Sequence, residues 1–546
     1  MTCRGRAMPG PLLFPLLLAA CVAAPRYTVP GPLGSLESDF LRTRSIADQI
    51  DVARAQGKPT AGFEPWYRES RAQLITTLAR TDSARLSSED RSALRAIRKV
   101  TLESLKENPA PAVSGAPGSP ADCGYDATAL LAASGSDALG DRIIACYGRA
   151  ASNIPWDGKV IDRLTVFALL GETPDRATRE RLWRSLDPVW RSVNGDDGPQ
   201  SPWRLLLSAR AERWKTSTLP HVERARSLGV TPDSVAPWLE RALEAWRRSQ
   251  PDSVIEPWDW YYFTGGADRR LSPRVSRESM LPITRKWFTA LGASPQQLRI
   301  QYDIEPRSGK YPVAYTTFGD RPHLSDKGWW PGEPAVFASY RLGGLGNLAE
   351  LLHETGHGIH IAGIRTRPAF ADWPDSDTFT EAVADLVSLD VYEPRWQQRM
   401  LGDSVSLDES LRSKYGGVIL DMAWALFEIR MFAQPDQDPN TVWTDITSRY
   451  LRIRGHPERS WWAMRGQLVD GPGYMLNYAL GAFLTAQLRA RIRELRGSWT
   501  EGDEGWYAWV REALFRWGQE RPTSELVEEF LGGPVRPEAL LADLGR

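Results

Sequence analysis

The most constraining feature of the chain is one short string, His353-Glu354-Thr355-Gly356-His357. Only six histidines occur in 546 residues, and His353, His357 and His360 fall within eight positions of one another. Leu348, Leu351 and Leu352 supply an apolar face, and Asn347 followed by Glu350 is a helix-start signature, so the string is expected on a helix. There His353 and His357 stand about 40° apart around the axis and about 6 Å along it. Both imidazoles can therefore reach a single Zn²⁺ at about 2.1 Å. Glu354 projects beside them, placed to take a proton from an attacking water.

A catalytic zinc needs a third protein ligand and an open position. His360 lies on the same stripe but about 10.5 Å along the axis from His353, too far for one ion to hold both and keep His357. It reads as a supporting or core residue. Glu381 is the better candidate. It sits near the start of a second helix, in Ser376-Asp377-Thr378-Phe379-Thr380-Glu381, where the alternative is a capping-box carboxylate paired with Thr378. Asp385 follows one turn later on the same face, placed to hydrogen-bond a ligating imidazole and fix its tautomer. The expected metal set is His353, His357 and Glu381 around one Zn²⁺ per chain, with Asp385 behind it.

Around this motif the pattern is mainly α. Residues 22–107 read as an N-terminal helical region, 108–122 as a Pro/Gly/Ser-rich linker or loop, and 123–546 as the region carrying the motif. From Gln301 to Tyr340 the chain is rich in Gly and Pro with short β-prone runs, which predicts a small sheet just ahead of the motif helix. The 23 Trp serve either as packing staples or as ligand-facing surfaces.

The 67 Lys+Arg nearly balance 68 Asp+Glu for a formal charge of −1. That argues against a general polyanion binder, and no nucleic-acid partner is expected. No apolar stretch reaches 18 residues, so no transmembrane helix is expected. Arg4 and Arg6 precede an apolar run from Leu12 to Leu18 and then Leu18-Ala19-Ala20-Cys21, which reads as an export signal over residues 1–21. The ending resembles a bacterial lipobox with Cys21 as the lipidated residue, the alternative being plain cleavage at Ala23-Ala24. The expected location is the periplasm or cell surface of a bacterium, with membrane contact only through the lipid anchor. Cys123 and Cys146 then remain, either as an exported disulfide or as two buried thiols.

An HExxH followed by a Glu on the next helix resembles the gluzincin metallopeptidases. Within them, Glu381-Ala382-Val383-Ala384-Asp385 and Leu389-Asp390-Val391-Tyr392-Glu393-Pro394, with the 24-residue step from His357 to Glu381, are similar to the angiotensin-converting-enzyme (peptidyl-dipeptidase) family. The His at position 360 is closer to the thimet oligopeptidase and oligopeptidase F families. The resemblance implies an elongated helical zincin with two halves flanking a substrate channel, and zinc-dependent hydrolysis of oligopeptides, of oligopeptidase or peptidyl-dipeptidase type. The alternative is a peptide-binding lipoprotein that keeps the fold without catalysis.

Aligned without gaps to the converting-enzyme pattern, Tyr478 takes the place of an oxyanion donor and Tyr474 that of a second donor on the substrate side. The His and Lys that those families place ahead of the tyrosine are missing, and Arg465-Gly466-Gln467-Leu468 stands there. Arg465 is the candidate for holding a substrate carboxylate. Ala338, in the run before the motif helix, is the candidate for pairing an extended peptide by strand addition.

Overall fold

In a computed structural model the described residues are 27–106, 123–307, 310, 314–325 and 328–545. Cys21, the rest of the expected signal segment and the expected 108–122 linker lie outside them. Helix dominates, as the periodicity predicts. Three N-terminal helices, α1 (Gly34–Ala55), α2 (Glu64–Arg80) and α3 (Ser88–Lys106), are followed by α4 (Ala127–Ser152), which kinks at Gly135 (φ 82°). Cys123 and Cys146 are joined by a disulfide, with their Cα atoms 5.7 Å apart. No helix among the described residues is long and apolar enough to cross a membrane.

The small sheet has three strands, β1 (Gln301–Asp303), β2 (Tyr315–Asp320) and β3 (Glu333–Phe337). Its order is β1-β3-β2: β3 pairs in parallel with β1 (Asp303 opposite Phe337) and antiparallel with β2 (Thr316 opposite Val336). The strand that leads into the motif helix is thus central, with a neighbour on each side. This corrects the expectation for Ala338, just beyond its end. The Ala338 N–H donates to the Asp303 carbonyl at 3.0 Å, and its own carbonyl accepts from the Lys310 ammonium. With both backbone groups occupied and the residue fully buried, Ala338 has nothing to offer an incoming peptide.

Beyond the sheet come the four helices that build the site: α5 (Leu345–Gly363), α6 (Asp377–Ser388), α7 (Leu407–Ala433) and α8 (Met475–Arg496). One apolar core extends from Ala127 to Leu544, and tryptophans are its largest members: Trp183 packs on Trp190, and Trp424 stacks on Trp443 with ring centroids 5.0 Å apart. Helices α1 and α3 form a separate cluster that closes on Ala369 and Phe370, just after α5. Arg367 ties that contact together by pairing with Glu37 and Asp90. Arg321, at the end of β2, pairs with Asp48 of α1 at 2.6 Å, and both side chains are buried.

Candidate metal centre

Helix α5 begins at Leu345, two residues ahead of the expected cap. Asn347 turns its amide back to the Leu342 and Gly343 carbonyls instead of capping the helix, so Glu350 has no capping role. On α6 the cap is Ser376, whose hydroxyl accepts the Phe379 N–H. Thr378 is engaged elsewhere, donating to Asn477 of α8 at 2.9 Å, and that leaves Glu381 free of a capping box.

One glycine lets α5 and α6 approach. A Cβ on Gly356 would stand 2.6 Å from the Ala384 carbonyl oxygen, so only glycine admits the α6 backbone at this point in the motif. Between α8 and α6 the spacing at Gly481 is ordinary, since a Cβ there would lie 3.9 Å from the Glu381 Cβ. The Thr485 hydroxyl donates to the Ala382 carbonyl at 3.0 Å and holds that second contact.

The result is convergence. His353 Nε2 lies 3.1 Å from His357 Nε2 and 3.3 Å from Glu381 Oε2. Among the described residues, these three form the group of histidine and acidic side chains that could hold a metal ion, with one ligand atom from each within 4.8 Å of the others. A tetrahedral ion with bonds of about 2.1 Å needs donor separations of about 3.4 Å, so the set fits a zinc-sized dication. The donor chemistry fits too. His353 Nδ1 is 2.7 Å from Asp385 Oδ1, which turns a lone pair at Nε2 toward the other donors, and Ser388 steadies Asp385 at 2.8 Å. The His353 and Glu381 side chains stay about one-fifth exposed, so the donors are reachable from solvent.

The electrostatics follow from this crowding. Burial works against charge on His353, but Asp385 and Glu381 outweigh it and hold its pKa well above the usual histidine value. Burial pushes the His357 pKa down, and so does His353. Burial also raises the Glu354 carboxyl to about 7, against the opposing pull of His353 and a hydrogen bond from Thr316. That hydroxyl, on β2, donates to Glu354 Oε2 at 2.8 Å and sets the direction of the carboxylate.

His360 stands apart. It is fully buried against the rings of Trp373, Phe379 and Phe515, neither ring nitrogen has a hydrogen-bond partner, and burial lowers its pKa to about 3. It packs as a neutral aromatic. His456 lies elsewhere, pairing with Glu256 and Glu458.

Tyr474 and Tyr478 bracket the first turn of α8, their rings 5.6 Å apart and neither fully buried. Burial and the nearby Glu381 carboxylate raise both phenol pKa values, which keeps each hydroxyl a donor. Arg465 stands close enough to Tyr478 to oppose that shift. Its guanidinium is already paired with Asp421 and lies over the Trp424 ring, so a substrate carboxylate would compete with Asp421 for it. Three contributors escaped the sequence reading: Thr316, Gly356 and Glu428. Glu428 is buried on α7 and accepts the Gly473 N–H at 2.7 Å and the Met475 N–H at 3.2 Å, fixing the turn that carries Tyr474. A Gly in the second variable place of the motif was the one visible signal.

No family model and no curated protein matches the chain by sequence. Its fold is nonetheless shared along nearly its whole length with solved metallopeptidases. A structure assigned as oligoendopeptidase F is 15% identical, covers 95% of this chain and 96% of its own, and has a TM-score of 0.56. Metallocarboxypeptidase 1 of Trypanosoma cruzi is 13% identical over 93% and 97%, also at 0.56. A carboxypeptidase of Pyrococcus furiosus is 13% identical over 94% and 98%, at 0.53. The chain therefore shares the mostly helical fold of these peptidases, and none of the three similarities is specific to the angiotensin-converting-enzyme branch.

Proposed function

We propose that this protein is a zinc-dependent peptidase that hydrolyses oligopeptides outside the cytoplasm, anchored to a membrane through a lipid on Cys21. One observation carries the catalytic part: three metal-binding side chains from two helices converge beside a carboxylate, Glu354, that is itself aimed by Thr316. His353, His357 and Glu381 hold the ion, and Asp385 fixes the His353 tautomer. When bound, a zinc ion supplies Lewis-acid polarisation of a peptide carbonyl and lowers the pKa of water.

The chain's own groups do the rest. Glu354 takes a proton from water as the water oxygen adds to the carbonyl carbon, and the carbonyl π pair moves onto oxygen. The Tyr478 phenol donates a hydrogen bond to that oxygen as charge develops on it. The C–N bond then breaks, and Glu354 returns the proton to the leaving nitrogen. Tyr474, a turn away, contacts the substrate, and the Arg465–Asp421 pair lies beyond Tyr478. The disulfide accords with an oxidising compartment, since such bonds persist outside the cytoplasm.

The test is Glu354→Gln, which removes the base and leaves every ligand. The variant should keep about one metal per chain and lose at least 10²-fold in kcat. Near-normal turnover would exclude Glu354 as the base. A wild-type protein that binds metal and peptide without cleaving would favour the non-catalytic reading.

A further inference from the structure

Helix α5 carries one more acidic group on the stripe that faces the centre. At about 100° per residue, Glu350 lies about 20° from His357 and about 40° from Glu354 around the axis, and about 6 Å ahead of Glu354 along it. Its capping role is absent because α5 starts at Leu345, so the carboxylate is not spent on backbone N–H groups. Glu350 is solvent-exposed, yet protein walls surround it closely enough for burial to raise its pKa. The buried Tyr340 hydroxyl stands beside it.

No salt bridge pairs a Lys or Arg with Glu350 among the described residues. The charges nearby are otherwise matched. A bound dication would offset Glu381 and Asp385, Arg465 is paired with Asp421, and Arg224 with Asp377. Glu354 is occupied as the base. Glu350 is thus the spare negative charge beside the reacting bond, where partial desolvation makes a charge pair stronger than on an open surface.

Resting on the peptidase reading, we propose that Glu350 is a specificity residue that selects peptides carrying a cationic group within two residues of the cleaved bond. An extended peptide advances about 3.3 Å per residue, so a 6 Å offset spans about two positions. The cation is a Lys or Arg side chain or the substrate's own N-terminal ammonium.

The experiment uses zinc-loaded full-length protein and pairs of peptides that differ only in lysine or norleucine, at each of the four positions nearest the cleaved bond. Each peptide is made with a free and with an acetylated N-terminus. At one position the lysine twin should have a kcat/KM about five- to tenfold higher. That ratio should fall to near one in Glu350→Gln and invert for a glutamate twin in Glu350→Lys. A preference lost on acetylation, and not on exchange of lysine, assigns the N-terminal ammonium as the cation. A lysine-to-norleucine ratio that is the same in wild type and both variants overturns the proposal. Failure of the wild type to cleave any peptide overturns the peptidase reading instead. The Glu350 proposal then stands or falls on binding of the same pairs to Glu354→Gln, read by fluorescence anisotropy, where equal affinity for both twins overturns it.

Discussion

Gly356 of the motif helix lies directly against the backbone of Ala384 on the following helix, so close that a methyl group there would stand 2.6 Å from the Ala384 carbonyl oxygen. Everything at the centre depends on that contact. It brings His353 and His357 from α5 to Glu381 and Asp385 from α6, and the Asp385–His353 hydrogen bond of 2.7 Å requires it. A methyl at position 356 therefore pushes ligands apart without touching any of them.

Gly356→Ala should accordingly cost about 1–3 kcal/mol of stability, the usual penalty for overpacking, and weaken metal binding by tenfold or more. Competition with a chelating dye measures the affinity, and thermal melting measures the stability. Unchanged metal affinity would show that α6 can retreat without disturbing Glu381.

Glu381 and His360 make opposite forecasts for metal content. Glu381→Ala removes a donor, so bound metal should fall far below one per chain. His360→Leu fills the pocket formed by Trp373, Phe379 and Phe515 and removes both nitrogens, so metal content should stay near one. Metal analysis of the two purified variants decides between them, and the reverse pattern would assign His360 as a ligand.

The two tyrosines should differ in kind. Tyr478→Phe removes one hydroxyl that meets charge only after water has attacked, so kcat should drop about 10²–10³-fold with little change in KM. Tyr474→Phe should cost less and fall more on KM. Steady-state kinetics on one peptide measures both, and a hundredfold loss from Tyr474→Phe alone would exchange the roles.

How much of this was legible in the chain follows from how local each feature is. The ligands and Asp385 repeat at i, i+4 on two helices, a spacing that one-dimensional sequence displays directly. The Ala338 expectation failed because order along the chain does not give order within a sheet: β3 acquires β1 as a second neighbour from 34 positions upstream, Gln301 opposite Ala335. Thr316 and Glu428 act on groups 38 and 45 residues away, and no local pattern announces such contacts. The start of α5 was misplaced because Asn347, a good cap by type, hydrogen-bonds backward to the preceding turn. The pairing of Arg465, the candidate for a substrate carboxylate, is invisible in the chain because its partner Asp421 is 44 residues distant.

Glu428 also gives a pH dependence with a definite sign. Burial raises its carboxyl to about 8, opposed by the two backbone N–H bonds and by Arg224. Between the ordinary carboxyl value of 4.5 and about 8 the unfolded chain has released this proton while the folded chain keeps it. Its contribution to stability therefore falls as pH rises through that window, by at most about 1.4 kcal/mol per pH unit, and is flat above it. The stability of the wild type relative to Glu428→Gln, taken from denaturant melts at pH 5 to 9, should decline up to about 8. A difference that does not change with pH would show that Glu428 titrates normally.

The central claim is that the convergence of His353, His357 and Glu381 makes a metal-dependent peptidase. Its most direct test is cleavage of a peptide mixture, read by mass spectrometry, on the purified protein as isolated, after removal of metal by a chelator, and after zinc is restored. Cleavage should be present, vanish with the metal, and return with about one zinc per chain. Cleavage that persists in metal-free protein would contradict the claim, and so would a zinc-loaded protein that leaves every peptide in the mixture intact.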